Sequence, residues 1–219
     1  MIDPAIQFSP SANTHDYRNA FLGRVHEILQ LGYQRVDVKS CSLSDEPTIT
    51  GKLVESIRTV MDDPKSPRWM NFFSVEEDPP VNNGTKTGKR RDRLDIEFSS
   101  GTRRPRCRFS FEAKRLGVKN PVSDYIGREG LGCFLDGRYA AESDDAGMIG
   151  YMQSDSPREW AEKLAAQVDG LAKNHAVCKN GHWKASRFAK GPQYTFHTRH
   201  KRARISREIN IFHSLLAFC

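Results

Sequence analysis

Two short segments of this 219-residue chain carry the residue types that phosphodiester chemistry needs. They are Leu94-Asp95-Ile96-Glu97-Phe98 and Arg108-Phe109-Ser110-Phe111-Glu112-Ala113-Lys114. Both alternate polar and apolar residues with period two, the pattern of a half-buried strand. Leu94, Ile96 and Phe98 share one face of the first, and Asp95 and Glu97 the other. Phe109, Phe111 and Ala113 share one face of the second, and Ser110, Glu112 and Lys114 the other. Ser99-Ser100-Gly101-Thr102 and a run of arginines join them, which predicts an antiparallel hairpin. Pairing then sets Asp95, Glu112 and Lys114 side by side.

Two carboxylates suffice to anchor Mg²⁺, which prefers oxygen ligands and keeps several waters. Mn²⁺ is expected to substitute for it. Asp95, Glu112 and the Ala113 carbonyl are the candidate metal ligands. Such a cation neutralises the phosphate and acidifies the attacking water. Lys114 can orient or activate that water, or offset charge at phosphorus. The alternative for a bare Glu-x-Lys is an exposed ion pair on a strand; the neighbouring Asp95 strand and the basic turn favour catalysis.

Charge placement points to a polyanionic partner. The net charge is +7 and the pI about 9.2. Lys86, Lys89, Arg90, Arg91 and Arg93 lead into the Asp95 segment, and Arg103, Arg104, Arg106 and Arg108 fill the turn. Arg199, Lys201, Arg202, Arg204 and Arg207 form a third group. Basic clusters beside an acidic site suit phosphate-backbone contact. Each alone also reads as a solvated loop.

The flanking elements supply the frame. A helix is expected from about Thr14 to Leu31 with Gly32 as its stop, and a second from about Asp45 to Met61. A strand follows near Trp69 to Val75, and residues 123–141 read as helical. Ala146 to Met152 reads as a buried strand. Ser156-Pro157-Arg158-Glu159 is a capping box with Pro at the first helical position. Two strands are expected at 193–198 and 208–218.

The order of a helix, three strands with Asp on the second and Glu-x-Lys on the third, then a helix and a strand, resembles the PD-(D/E)XK nuclease superfamily. The motif residues are Asp95, Glu112 and Lys114, and Leu94 stands where the superfamily's name has Pro. The resemblance implies an α/β fold with a central mixed sheet flanked by helices, an α-β-β-β-α-β core over about 45–174. Here that core lies in a single domain with an added N-terminal helix and a C-terminal β extension. It also implies metal-dependent cleavage of nucleic acid, most often double-stranded DNA. Many members add a Glu from the first core helix, for which Glu46 and Glu55 are the candidates. With Ile49 at zero, the apolar stripe centres near 60°, Glu46 falls at about 60° and Glu55 at about 240°. Glu46 is therefore the preferred fourth catalytic residue, although a carboxylate at a helix start is also favoured by the helix dipole.

By analogy, compact chains of this kind look like effectors of bacterial restriction or anti-phage defence, working with an ATPase or sensor subunit. A homo-oligomer is left open. The competing functions are a non-catalytic nucleic-acid-binding subunit and an RNA-cleaving toxin. Gln153, after the strand that should flank the motif strand, is a further candidate to reach the site. The Gly-rich Tyr125 to Phe134 segment could bring Arg128 near a phosphate, or its glycines could simply permit close packing. His197 and His200 suit a nucleic-acid contact better than a metal site. The five cysteines form no CxxC pair, which argues against zinc ribbons and disulfide frameworks. A P-loop and a nucleophile elbow are missing. No apolar run approaches the ~20 residues of a membrane span, and no signal peptide is visible, so a cytoplasmic protein is expected.

Overall fold

The computed structural model describes residues 10–82, 86–102, 106–170, 173 and 175–219. Arg103 and Arg104 lie outside them. Helix α1 spans Pro10–Arg35 and α2 spans Glu46–Asp62. Strands β1 (Phe73–Glu77), β2 (Ile96–Ser100) and β3 (Cys107–Leu116) follow. The short helices α3 (Val122–Ile126) and α4 (Gly132–Leu135) lead to β4 (Asp145–Met152) and α5 (Pro157–Gly170). Strands β5 (Lys184–Ala185), β6 (Thr195–His200) and β7 (Ile209–Ala217) complete the chain.

The seven strands form one mixed sheet in the order β1-β2-β3-β4-β7-β6-β5. β3–β4 and β4–β7 are parallel and the other pairs antiparallel. Residue parity divides the core between the faces. Ile149 and Tyr151 of β4 join Phe111, Ala113 and Phe212 under α1 and α2. Ala146, Met148 and Met152 join Tyr125, Phe134, Trp160 and Leu164 under α3, α4 and α5. Helices on both faces make every residue of β4 buried, as a parallel central strand requires.

Local signals place the helix starts. The Asp45 carboxylate accepts the Thr48 N–H at 3.0 Å and caps α2, with Pro47 in its first turn. The predicted capping box opens α5: the Glu159 carboxylate accepts the Ser156 N–H at 2.8 Å, and Glu159 N–H donates to the Ser156 hydroxyl.

Several expected boundaries are corrected. Gly32 does not stop α1, which runs on to Arg35. A Cβ at Gly32 would come within 2.2 Å of Ile57 Cγ1, so the missing side chain serves the close crossing of α1 over α2. Residues 68–72 form a 3₁₀ turn before β1. The 123–141 segment is two short helices, not one, because the chain folds back tightly between them. A Cβ at Gly130 would lie 2.2 Å from the Tyr125 carbonyl oxygen. The two last strands are no peripheral extension, since β7 pairs along the whole of β4. Strand β5 leaves no signal in the sequence, since two exposed residues carry no periodicity.

Under α5 lies a buried polar chain with one direction. His200 Nδ1 faces the His175 carbonyl at 2.8 Å, which can only accept, so Nδ1 carries the proton and Nε2 is bare. Thr198 must then donate its hydroxyl proton to that Nε2 at 2.6 Å, and accept from His213 Nε2–H at 2.8 Å. His213 Nδ1 is left to accept from the Tyr125 hydroxyl at 3.1 Å. Each donor has one acceptor, and either imidazolium would leave a donor without one. Burial lowers the pKa of His213 and lowers that of His200 to about 4. Buried His26 on α1 is likewise lowered to about 4.

The folded state therefore holds fewer protons than the unfolded chain below the ordinary histidine pKa. The histidines' contribution to stability is full above pH ~6.5 and drains away as pH falls toward about 4. Denaturant titrations across that window should show the decline. Thr198→Val should cost roughly 2–3 kcal/mol at neutral pH by stranding both histidines. A Thr198→Val variant of wild-type stability would refute the polarised chain.

Candidate active site

Sheet register builds the site. Ile96 faces Phe111 and Phe98 faces Phe109, so Asp95, one residue before β2, comes opposite Glu112. Its carboxylate Oδ2 accepts the Ala113 N–H at 2.6 Å, holding the entry of β2 onto β3. Glu112 and Lys114, two residues apart, project from β3 together.

The Lys114 ammonium spends three contacts. It donates to Glu112 Oε1 at 2.8 Å, to the Ala113 carbonyl at 2.8 Å and to Glu46 Oε1 at 3.0 Å. Glu46 is the first residue of α2, and its other oxygen accepts the Arg115 N–H at 3.1 Å. Of the two helix candidates, Glu46 reaches this cluster and Glu55 is exposed on the other side of α2. Gln153 does not join it. Its amide donates to the carbonyls of Cys41 and Ser44, clasping the turn that launches α2.

The expectation of a half-buried β3 is corrected. Glu112 is only 6 % exposed, because residues 131–139 cover the polar face of the strand. Glu112 raises the pKa of Cys133 and of Tyr139, in each case next after burial, which sets both side chains within its field. Tyr139 also donates its hydroxyl to the Arg93 carbonyl at 2.6 Å. That cover comes from residues distant in sequence and leaves no mark on the alternation of β3.

Burial governs the electrostatics. It raises the Asp95 pKa against the opposing pull of the Ala113 N–H and Lys114. It pushes Glu112 up to about 8, with the charge of Asp95 adding to the effect and Lys114 only partly offsetting it. Burial would lower Lys114, yet Glu112 and Glu46 overcome it and hold the ammonium protonated. Near neutral pH the Asp95–Glu112 pair thus retains about one proton.

Among the described residues, no set of three His, Cys, Asp or Glu side chains is arranged to hold a metal ion. The carboxylates are instead turned onto the ammonium and the backbone N–H groups. Three oxygens nevertheless surround one cation, and Lys114 Nζ stands at the point they share. Glu112 Oε2 is buried with no hydrogen-bond partner. An orphaned carboxylate oxygen beside Asp95 and the Ala113 carbonyl is a donor set that fits a hard divalent cation.

The basic candidates are distributed unevenly. Lys89, Arg90 and Lys201 are exposed. Arg91 donates to Asn82 Oδ1 at 2.6 Å, and Arg93 is paired with Asp78 at 2.6 Å. Arg128 is exposed beside Glu129, and Arg199 is paired with Glu208. Arg202 is corrected: it is buried, and its guanidinium donates to the carbonyls of Arg207, Ala140 and Ser143, tying loops together. His200 is likewise spent in the buried chain.

Removing the ammonium leaves Glu46, Asp95 and Glu112 facing one another. Lys114→Ala should lose about 3 kcal/mol at pH ~9 and less at pH ~6, where Glu112 takes up a proton. For the wild type, a Glu112 pKa raised from 4.5 to about 8 means the folded state holds the extra proton. Its stabilisation is intact below pH ~4.5 and lost as pH climbs to about 8. Glu112→Gln should flatten that limb in pH-resolved denaturation; an unchanged limb would contradict the assignment.

Comparison with protein-family models, with curated proteins and with solved structures finds no match.

Proposed function

We propose that the chain is a Mg²⁺-dependent nuclease that hydrolyses phosphodiester bonds in DNA. The observation that carries this reading is the convergence of Glu46, Glu112 and the Ala113 carbonyl on one ammonium, with Asp95 held beside them by the Ala113 N–H and Glu112 Oε2 left unpartnered. The element order supports it. A helix (α2), three antiparallel strands (β1, β2, β3), short helices and a parallel strand (β4) follow the α-β-β-β-α-β sequence of the PD-(D/E)XK superfamily.

In this reading Asp95, Glu112 and the Ala113 carbonyl hold the cation, which when bound neutralises the scissile phosphate and acidifies water. Asp95 is fixed by the Ala113 N–H, so its placement costs no reorganisation. Lys114 orients the attacking water or offsets charge at phosphorus, and Glu46 keeps its ammonium aimed into the site. Exposed Lys89, Arg90 and Lys201 contact the phosphate backbone. An effector of a bacterial defence or restriction system, with an ATPase or sensor partner, is the cellular setting that resemblance suggests.

A second reading rests on the same contacts. An ammonium with all three protons engaged is also what a purely structural buried ion cluster looks like, and the fold would then bind nucleic acid without cutting it.

Digestion of plasmid DNA, of single-stranded DNA and of RNA with Mg²⁺ or Mn²⁺, against EDTA controls, separates these readings. Wild-type protein should cut in a metal-dependent manner. Glu112→Gln and Lys114→Ala should each slow cleavage by at least ~10²-fold. Cleavage that survives either substitution would sink the assignment, and RNA-only cleavage would select the toxin alternative. Mn²⁺ should also raise the melting temperature of wild-type protein but not of Glu112→Gln, a readout independent of turnover.

A further inference from the structure

A line of arginines runs away from the carboxylate cluster through three cavities that share walls. The first, of about 660 Å³, opens beside Leu94 and over Glu97 and Ser110, one alternation step along the sheet from Asp95 and Glu112; Arg108 and Arg138 line it. The second, a waist of about 280 Å³, shares Arg108 and Ser143 with the first and adds Arg106 and Arg18. The third, of about 660 Å³, shares Arg18 and Asp144 with the second and ends at Arg199 and Arg207. Together they form one trough that passes around the end of the sheet where β3, β4 and β7 begin. From Glu112 to Cys107 along β3 is about 17 Å at the usual strand rise, enough for two or three nucleotides.

Carboxylates also line the trough: exposed Asp144 and partly exposed Glu208 pair with Arg207 and Arg199 at its far end, and exposed Glu76 and Glu142 border its near end, but at its two central ion pairs the acids lie beneath the guanidinium groups. Arg18 is 35 % exposed over Asp145 at 11 %, and Arg108 is 62 % exposed over Glu97 at 12 %. The buried acid fixes each guanidinium and leaves outward N–H groups for an anion. Arg18 sits far from any basic run in the sequence, and the fold alone brings it into line; Arg138 only borders the trough, its guanidinium being engaged by Asp136, Glu129 and the Arg128 carbonyl.

Resting on the nuclease reading above, we propose that this trough holds a single strand of nucleic acid, its phosphates on the arginines, passing two residues along β3 from Glu112 of the carboxylate cluster. The shared chemistry is a phosphodiester backbone, from DNA or RNA. A single strand can thread the narrow waist, whereas a duplex would have to lie across it.

The test is anisotropy of labelled oligo(dT), oligo(U) and a hairpin duplex with the full chain in EDTA, over a salt series. Either single strand should bind more tightly than the duplex, and the tighter of the two identifies the natural strand. Arg106→Gln with Arg199→Gln, both exposed, should weaken single-strand binding at least tenfold. The same double change should make the slope of log affinity against log salt shallower by about 1.4, at about 0.7 per contact. Arg158→Gln on α5, outside the trough, should change neither. Preference for the duplex, or a double variant that binds with wild-type affinity and slope, overturns the proposal. Strand binding that follows the arginines with no metal-dependent cleavage would uphold the trough and remove the nuclease. Cleavage indifferent to the double variant would do the reverse.

Discussion

The placement of the Lys114 ammonium is the constraint on which the site depends. It joins β3 to the first turn of α2 and satisfies the Ala113 carbonyl, one carboxylate from each element and its own charge. Buried ion clusters gain little net stability over apolar packing, but they fail badly when one member is lost. Their contribution here is geometric. Only one docking of α2 against the sheet lets Glu46 reach Lys114 with one oxygen and the Arg115 N–H with the other. Asp95 does the same for β2, since its carboxylate stands in for a ladder acceptor just where regular pairing stops.

Two layers of support stand behind this cluster. The Gln153 amide clasps the Cys41–Ser44 turn, so the start of α2 is held from the end of β4 as well as by its own Asp45 cap. On the other face, Tyr139 pins the Arg93 carbonyl while residues 131–139 cover Glu112. The cover is what raises the carboxyl pKa values. The same cover that keeps water out makes the charged form of Glu112 costly until a cation or Lys114 compensates it.

Much of the site was legible because short-range periodicity decides it. The period-two pattern of 108–114 placed Glu112 and Lys114 on one face, and the wheel of α2 separated Glu46 from Glu55. What was illegible depends on contacts between distant segments. Gly32 carries the composition of a helix stop, and only the partner helix shows that it is a crossing point. Arg202 belongs to a basic run, and nothing local says that three carbonyls from other loops will bury it. The burial of Glu112 and the alignment of Arg18 with Arg108 are of the same kind. The direction of the Tyr125–His213–Thr198–His200 chain follows from a single carbonyl that the sequence could not assign to it.

The position of β7 has a consequence for how the chain reaches this state. β4 is buried along its whole length, and one of its two edges is covered only by a strand that follows α5, β5 and β6 in sequence. Until β7 docks, the growing chain exposes an apolar strand with a row of unpaired N–H and C=O groups. Folding is therefore dominated by late, long-range closure, and the half-made sheet is a species prone to pair with other chains. The catalytic candidates on β3 precede this step in the chain, but the sheet that holds them rigid is sealed only once β7 has followed.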